Sequence, residues 1–263
     1  MLTRVYVCGR TCIDGGAVFF DEGDFPGRQG RLAWTYLILE RHRTVTRDEM
    51  VEVIWGDDAP DGCDRALSAI LSKLRSLMTR AKMKNCAIHS MGTAARVNLS
   101  ADIWIDWETA WRDIERAKHC CDEGNAREGY GWALAAYMIA REGLLPGEEA
   151  PWLVQKREQL NGLLTRSIDA LIHIYSATAN YDMAVQFAEE SLVHDPLREV
   201  TYQQLIDGYA ALGKVSDAIR IYRRCCEALS QLGRKPSPPI EKAYERAVTA
   251  SASSIPAARE SRS

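Results

Sequence analysis

The sequence predicts a mainly α protein with a small β component, and three observations carry that prediction. Over residues 1–100, short alternating apolar segments enclose three stretches of helical spacing. From Asp106 onward the apolar spacing is helical throughout. Leu171, Tyr175 and Ala184 recur as Leu205, Tyr209 and Ala218, each at a shift of 34 residues. Read together, these give a winged helix with an amino-terminal sheet over 1–100, a tetratricopeptide-like all-α domain over 101–250 and a disordered tail over 251–263.

The chain opens on Val5-Tyr6-Val7, then Cys12-Ile13 ahead of Asp14-Gly15-Gly16, then Ala17-Val18-Phe19-Phe20. Alternation interrupted by a Gly-Gly turn predicts a small antiparallel sheet. Within Arg28–Arg41, Leu32, Ala33, Tyr36, Leu37 and Leu39 share helical spacing, so this is the first helix. Thr46-Arg47-Asp48-Glu49 is a capping-box pattern, with Thr46 as cap and Glu49 three residues on. It opens a second helix that runs to Trp55 and stops at Gly56. The Trp55 indole is expected in the core, locking that helix to the following turn.

The third helix is the most informative. From Cys63 to Met78, the residues Leu67, Ile70, Leu71, Leu74, Leu77 and Met78 fall on one stripe. Burying that stripe turns Arg65, Ala69, Ser72 and Ser76 outward, with Ser68, Lys73 and Arg75 at its edges. Cys86–Ser90 and Ala95–Leu99 flank Gly92 as a terminal hairpin, in which His89 reads as a core-edge residue. Strands, three helices and a hairpin are the order of a winged helix, whose third helix enters the major groove and whose hairpin is the wing. The candidate DNA-binding residues are therefore Arg65, Ser68, Ala69, Ser72, Lys73 and Arg75 on the helix, with Thr93 and Arg96 on the wing. Each also has a plainer reading. Arg75 suits a pair with an acidic neighbour, Arg65 and Lys73 suit solvation, and Ser68 and Ser72 suit any exposed helix face.

Beyond the hairpin, Trp104, Trp107, Trp111 and Ile114 begin one helix, and Ala133, Leu134, Tyr137 and Met138 lie on the next. A break at Leu144-Leu145-Pro146-Gly147 precedes a long helix from about Trp152 to Ala177. A shift of 34 residues is the tetratricopeptide period, in which two antiparallel helices per repeat pack through small residues. Tyr222 follows Ala218 by four residues, and Pro196 falls at the turn. Two copies are few for a solenoid, so the upstream helices and a last helix near Ile240–Val248 are expected to cap it. After Pro196, Glu199 suits the positive end of a helix and Arg198 suits a tie to an adjacent one.

These residues carry a family resemblance. Trp55-Gly56-Asp57-Asp58-Ala59-Pro60, Ala66-Leu67 and Leu71-Ser72-Lys73-Leu74-Arg75 resemble the DNA-binding domain of SARP-type antibiotic regulatory proteins, itself similar to the winged helix of response regulators. The wing departs from the family's Gly-x-Gly-Tyr tip: Met91-Gly92-Thr93-Ala94-Ala95-Arg96 lacks the second glycine and the tyrosine. The second half resembles the bacterial transcriptional activator domain of the same family. Asp195-Pro196-Leu197-Arg198-Glu199, Ile221-Tyr222-Arg223-Arg224 and Leu232-Gly233-Arg234-Lys235-Pro236-Ser237-Pro238 stand at its characteristic runs. The resemblance covers about residues 4–248. It implies a transcriptional activator that binds double-stranded DNA at direct repeats and recruits RNA polymerase.

Composition bounds the alternatives. The chain has 263 residues with a net charge of −3, divided as +2 over residues 1–100 and −5 over the remainder. That balance does not by itself point to nucleic acid, so a DNA-binding reading rests on fold and local placement. There is no long uncharged apolar run, and the amino terminus is too short and strand-like for a secretory signal, so no membrane contact is expected. The start at Met1 leads almost directly into the first strand, so a receiver domain is not expected ahead of it. Eight cysteines without a framework spacing read as reduced cytoplasmic thiols rather than disulfides or a zinc site. No phosphate loop, nucleophile elbow or His-Glu-x-x-His stands in the chain, so neither an enzyme nor a cofactor is expected. The leading function is a sequence-specific DNA-binding regulator whose helical domain serves homodimerisation, polymerase contact or effector sensing. The alternative is a protein-interaction scaffold whose winged helix no longer binds DNA.

Overall fold

A computed structural model describes residues 3–253. In chain order the elements are β1 (Arg4–Tyr6), β2 (Cys12–Asp14), β3 (Phe19–Phe20), α1 (Gly27–Leu39), β4 (Val45–Thr46), α2 (Arg47–Trp55), α3 (Cys63–Arg80), β5 (Ala87–Met91), β6 (Ala94–Asn98) and β7 (Trp104–Ile105). They continue as α4 (Asp106–Asp122), α5 (Ala126–Ala140), α6 (Pro151–Ala177), α7 (Tyr181–His194), α8 (Glu199–Ala211), α9 (Val215–Ser230) and α10 (Pro238–Ser253). The chain forms two compact units. Of the described residues, the first takes 3–113 together with Ala135–Leu164; the second takes Ile114–Leu134 together with 165–253.

In the first unit, β1, β2 and β3 form the antiparallel sheet that the Gly-Gly turn predicts, with Val5 opposite Ile13 and Ile13 opposite Phe20. A fourth strand joins it. β7 pairs parallel to β1, Val5 against Ile105, giving the order β3-β2-β1-β7. Trp104, expected to begin a helix, lies instead in this strand, and its ring packs 5.1 Å from that of Tyr6. Parallel partners need a long crossover, and here the whole winged helix is the crossover. Helix α4 starts right after, at Asp106. Its carboxylate, 2% exposed, accepts hydrogen bonds from the backbone N–H groups of Val7, Cys8 and Trp107. Burial pushes this carboxyl up to about 6, against the pull of those three donors.

The winged helix is built on α1, α2 and α3 with the three-stranded sheet β4-β6-β5. Thr46 caps α2 as the sequence predicts: its side chain accepts from the Glu49 N–H, and the Glu49 carboxylate reaches back to the Thr46 N–H. Gly56 ends the helix at φ 58°, ψ −135°, a backbone that a side chain would strain. The expected stripe of α3 is buried in full: Leu67, Ile70, Leu71, Leu74, Leu77 and Met78. Trp55 departs from expectation, being half-buried. The enclosed indole of this core is Trp34, which is fully buried and packs at 6.0 Å from the Phe25 ring.

In the second unit α7 packs on α8, α8 on α9, and α10 on both α8 and α9. The repeated residues hold equivalent places, since Leu171, Leu205, Ala184 and Ala218 are all buried. Small residues let these helices close. A Cβ on Gly208 would lie 2.8 Å from Cγ2 of Val185 on α7. Arg198 makes the interhelical tie expected of it, a two-pronged pair with the Asp169 carboxylate on α6. Glu199, at the start of α8, accepts from the Ser237 N–H and from Arg234, both at 2.9 Å, pinning the turn into α10. The segment expected to be disordered begins inside α10, which continues to Ser253; its remainder, 254–263, lies outside the described residues.

Candidate nucleic-acid interface

Because the apolar stripe of α3 faces the core, the opposite face is left open. Arg65, Ser68, Ala69, Ser72 and Lys73 are exposed there, as the spacing predicts. Arg75 behaves differently. It is half-buried; its Nε donates to the Ile88 carbonyl at 2.8 Å and its Nη2 to Ser90 Oγ at 2.5 Å. Arg75 therefore fastens α3 to β5 of the wing. Ser68 is also engaged, since its hydroxyl donates to the Asp64 carbonyl at 2.8 Å and accepts from Arg47 Nη2 at 3.0 Å.

The wing is the β5-β6 hairpin, turned at Gly92 with φ 59°. Its inner face carries Ile88, Ala95 and Val97, all buried. Strand alternation then places Arg96 and His89, cross-strand partners, on the outer face. His89, expected at the core edge, is accordingly exposed. Thr93 is exposed at the tip beside Met91, which is 51% exposed. The Thr93 carbonyl accepts from the Arg47 N–H at 2.8 Å, which ties the tip of the wing to the start of α2.

Sequence reasoning passed over Arg47, counting it only within the capping box. Its Nε donates to Asp64 Oδ1 at 3.0 Å and its Nη2 to the Asp64 carbonyl at 2.9 Å. A signal was present. The macrodipole disfavours a cation in the first turn of a helix, so an arginine there calls for an outside partner. Arg47, Asp48, Asp64, Arg65, Ser68 and Thr93 line one open concavity of about 540 Å³. The fold thus gathers Arg65, Ser68 and Thr93 from the candidate set into one place, with Ala69, Ser72 and Lys73 further along α3 and Arg96 on the wing. Among the described residues, Arg65, Lys73 and Arg96 form no ion pair. Three exposed cations around a helix face of small side chains suit phosphate contact and close approach to a duplex.

The model of the bacterial transcriptional activator domain family matches residues 106–247. The chain is similar to "Regulatory protein AfsR" of Streptomyces griseus, 23% identical over 224 residues, which is 84% of this chain and 22% of that protein. The chain thus spans about a fifth of that relative's length. Among solved structures it is similar to Mycobacterium tuberculosis EmbR in complex with a low-affinity phosphopeptide. There the TM-score is 0.81 at 18% identity, covering 95% of this chain and 68% of the other, and the likeness is one of fold. Among the described residues, no helix is long and apolar enough to cross a membrane. A winged helix precedes a helical domain whose family match covers more than half of the chain, and the protein belongs to the bacterial transcriptional activator domain family.

Proposed function

We propose that this protein is a sequence-specific transcriptional activator that reads the major groove of double-stranded DNA with α3. The observation that carries this reading is the division of α3 into a buried apolar stripe and an open face bearing Arg65, Ala69, Ser72 and Lys73. On that face Arg65 is the side chain with the donors to read a guanine edge, while Ala69 and Ser72 permit close approach. Lys73 and Arg96 contact backbone phosphates, and Thr93 touches the backbone from the wing. Arg75 acts one step back, holding the wing against the reading helix. DNA reading belongs to residues 1–100. The helical domain over 101–250 serves contact with RNA polymerase, homodimerisation or effector sensing. A regulator of this kind works without catalysis and in the cytoplasm.

The test is a salt titration of the full chain on duplex DNA. Neutralising Z phosphates gives a log–log slope of about −0.9Z, so Lys73→Ala and Arg96→Ala are each expected to flatten the slope by about 0.9. An affinity that does not change with salt would favour the scaffold reading, in which the winged helix binds protein.

A further inference from the structure

The concavity beside α3 is balanced in charge, because Arg47 and Arg65 share it with Asp48 and Asp64. Arg47 is held rather than displayed. Its side chain is 19% exposed, whereas that of its partner Asp64 is 78% exposed, on the same helix face as the candidate DNA contacts. The macrodipole explains an acid in the first turn of α3. It also favours an outside partner for Arg47 in the first turn of α2, but not the placing of that partner on the open face of α3, since Asp48 and Glu49 stand in the same turn as Arg47. An exposed carboxylate on this face repels phosphate, and it also neutralises a guanidinium that sits between the reading helix and the wing. Both effects lower affinity for every duplex alike, whatever its sequence.

Resting on the reading of α3 as the DNA-contacting helix, we infer that Asp64 sets the selectivity of this interface by withholding the Arg47 guanidinium from the phosphate backbone. With Arg47 neutralised, the attraction common to all sequences is weak. Contacts to base edges then supply a larger share of the binding free energy, and the ratio of specific to non-specific affinity rises. Asp64 is a positioning residue here, acting through Arg47 and through its own charge.

Asp64→Asn tests this in the full chain, because asparagine keeps the shape and the backbone carbonyl that Arg47 and Ser68 use. Binding is measured against salt on two duplexes, one of random sequence and one enriched by selection. Asp64→Asn is expected to raise affinity for the random duplex by about threefold to tenfold and to steepen its salt slope by about 0.9. The ratio of specific to random affinity falls correspondingly. Adding Arg47→Ala to that variant returns the slope to the wild-type value, and Asp64→Glu, which keeps the charge, holds the wild-type ratio. The inference is overturned if Asp64→Asn leaves slope and ratio unchanged, or if the double variant keeps the steeper slope. A wild-type protein that enriches no duplex would instead overturn the reading of α3 itself.

Discussion

Lys73 and Arg75 lie two positions apart on one helix and do different work. Lys73 is exposed, and among the described residues it forms no ion pair. Arg75 spends its guanidinium on the Ile88 carbonyl and Ser90 Oγ. Arg75→Ala is therefore expected to lower unfolding stability by about 1–2 kcal/mol in a denaturant titration, because it leaves a part-buried carbonyl without its donor. Lys73→Ala leaves that midpoint unchanged. Equal stability of the two variants would mean that Arg75 does not fasten the wing. The exposure of Lys73 was legible in the spacing of its leucine neighbours. The engagement of Arg75 was not, because it depends on where a carbonyl of β5, 13 residues away, comes to lie. Arg47 was missed for the same reason, since its partner Asp64 stands 17 residues on.

At the scale of elements, the cap of α2 is the clearest case of local chemistry being used twice. Glu49 closes the capping box and also accepts from Arg43 and from the Tyr36 hydroxyl. Arg43 donates to its carboxylate and, with Tyr36, draws its pKa from 4.5 down to about 2 despite some burial. A carboxyl depressed in the folded state stabilises it above its unfolded pKa and loses that contribution as pH falls through the folded one. Glu49→Gln is accordingly expected to cost about 1–2 kcal/mol at neutral pH, a difference that shrinks between about pH 4.5 and pH 2. A pH-independent difference in denaturant titrations would show that charge has no part in it. The capping box itself was legible from four consecutive residues. Strands β4 and β7, of two residues each, were not, because two residues cannot display alternation and both strands exist only through distant partners.

At the scale of the whole molecule, the 34-residue shift was read directly from the sequence because each repeat packs mainly on its neighbour. The composition of the first unit was less visible, because it draws in Ala135–Leu164. Within that unit Lys156 pairs with Glu40 at 2.8 Å, Trp152 Nε1 donates to the Val53 carbonyl at 3.2 Å, and Glu148 holds Arg28 and Arg31. These contacts brace α1 and α2, yet all three residues lie more than 90 positions from their partners. A fragment ending at residue 100 is expected to lose protection of the α1 and α2 amides by about tenfold or more in hydrogen exchange, relative to the full chain. Equal protection would show that the winged helix stands without that brace.

The most direct measurement of the central claim, that α3 reads DNA, is selection from a random duplex library with the full chain and with Arg65→Ala. The wild type is expected to enrich one motif, and Arg65→Ala to lose preference at a defined position of it while still binding DNA. Absence of an enriched motif at low salt, or the same motif unchanged in the variant, would contradict the assignment of reading to the open face of α3.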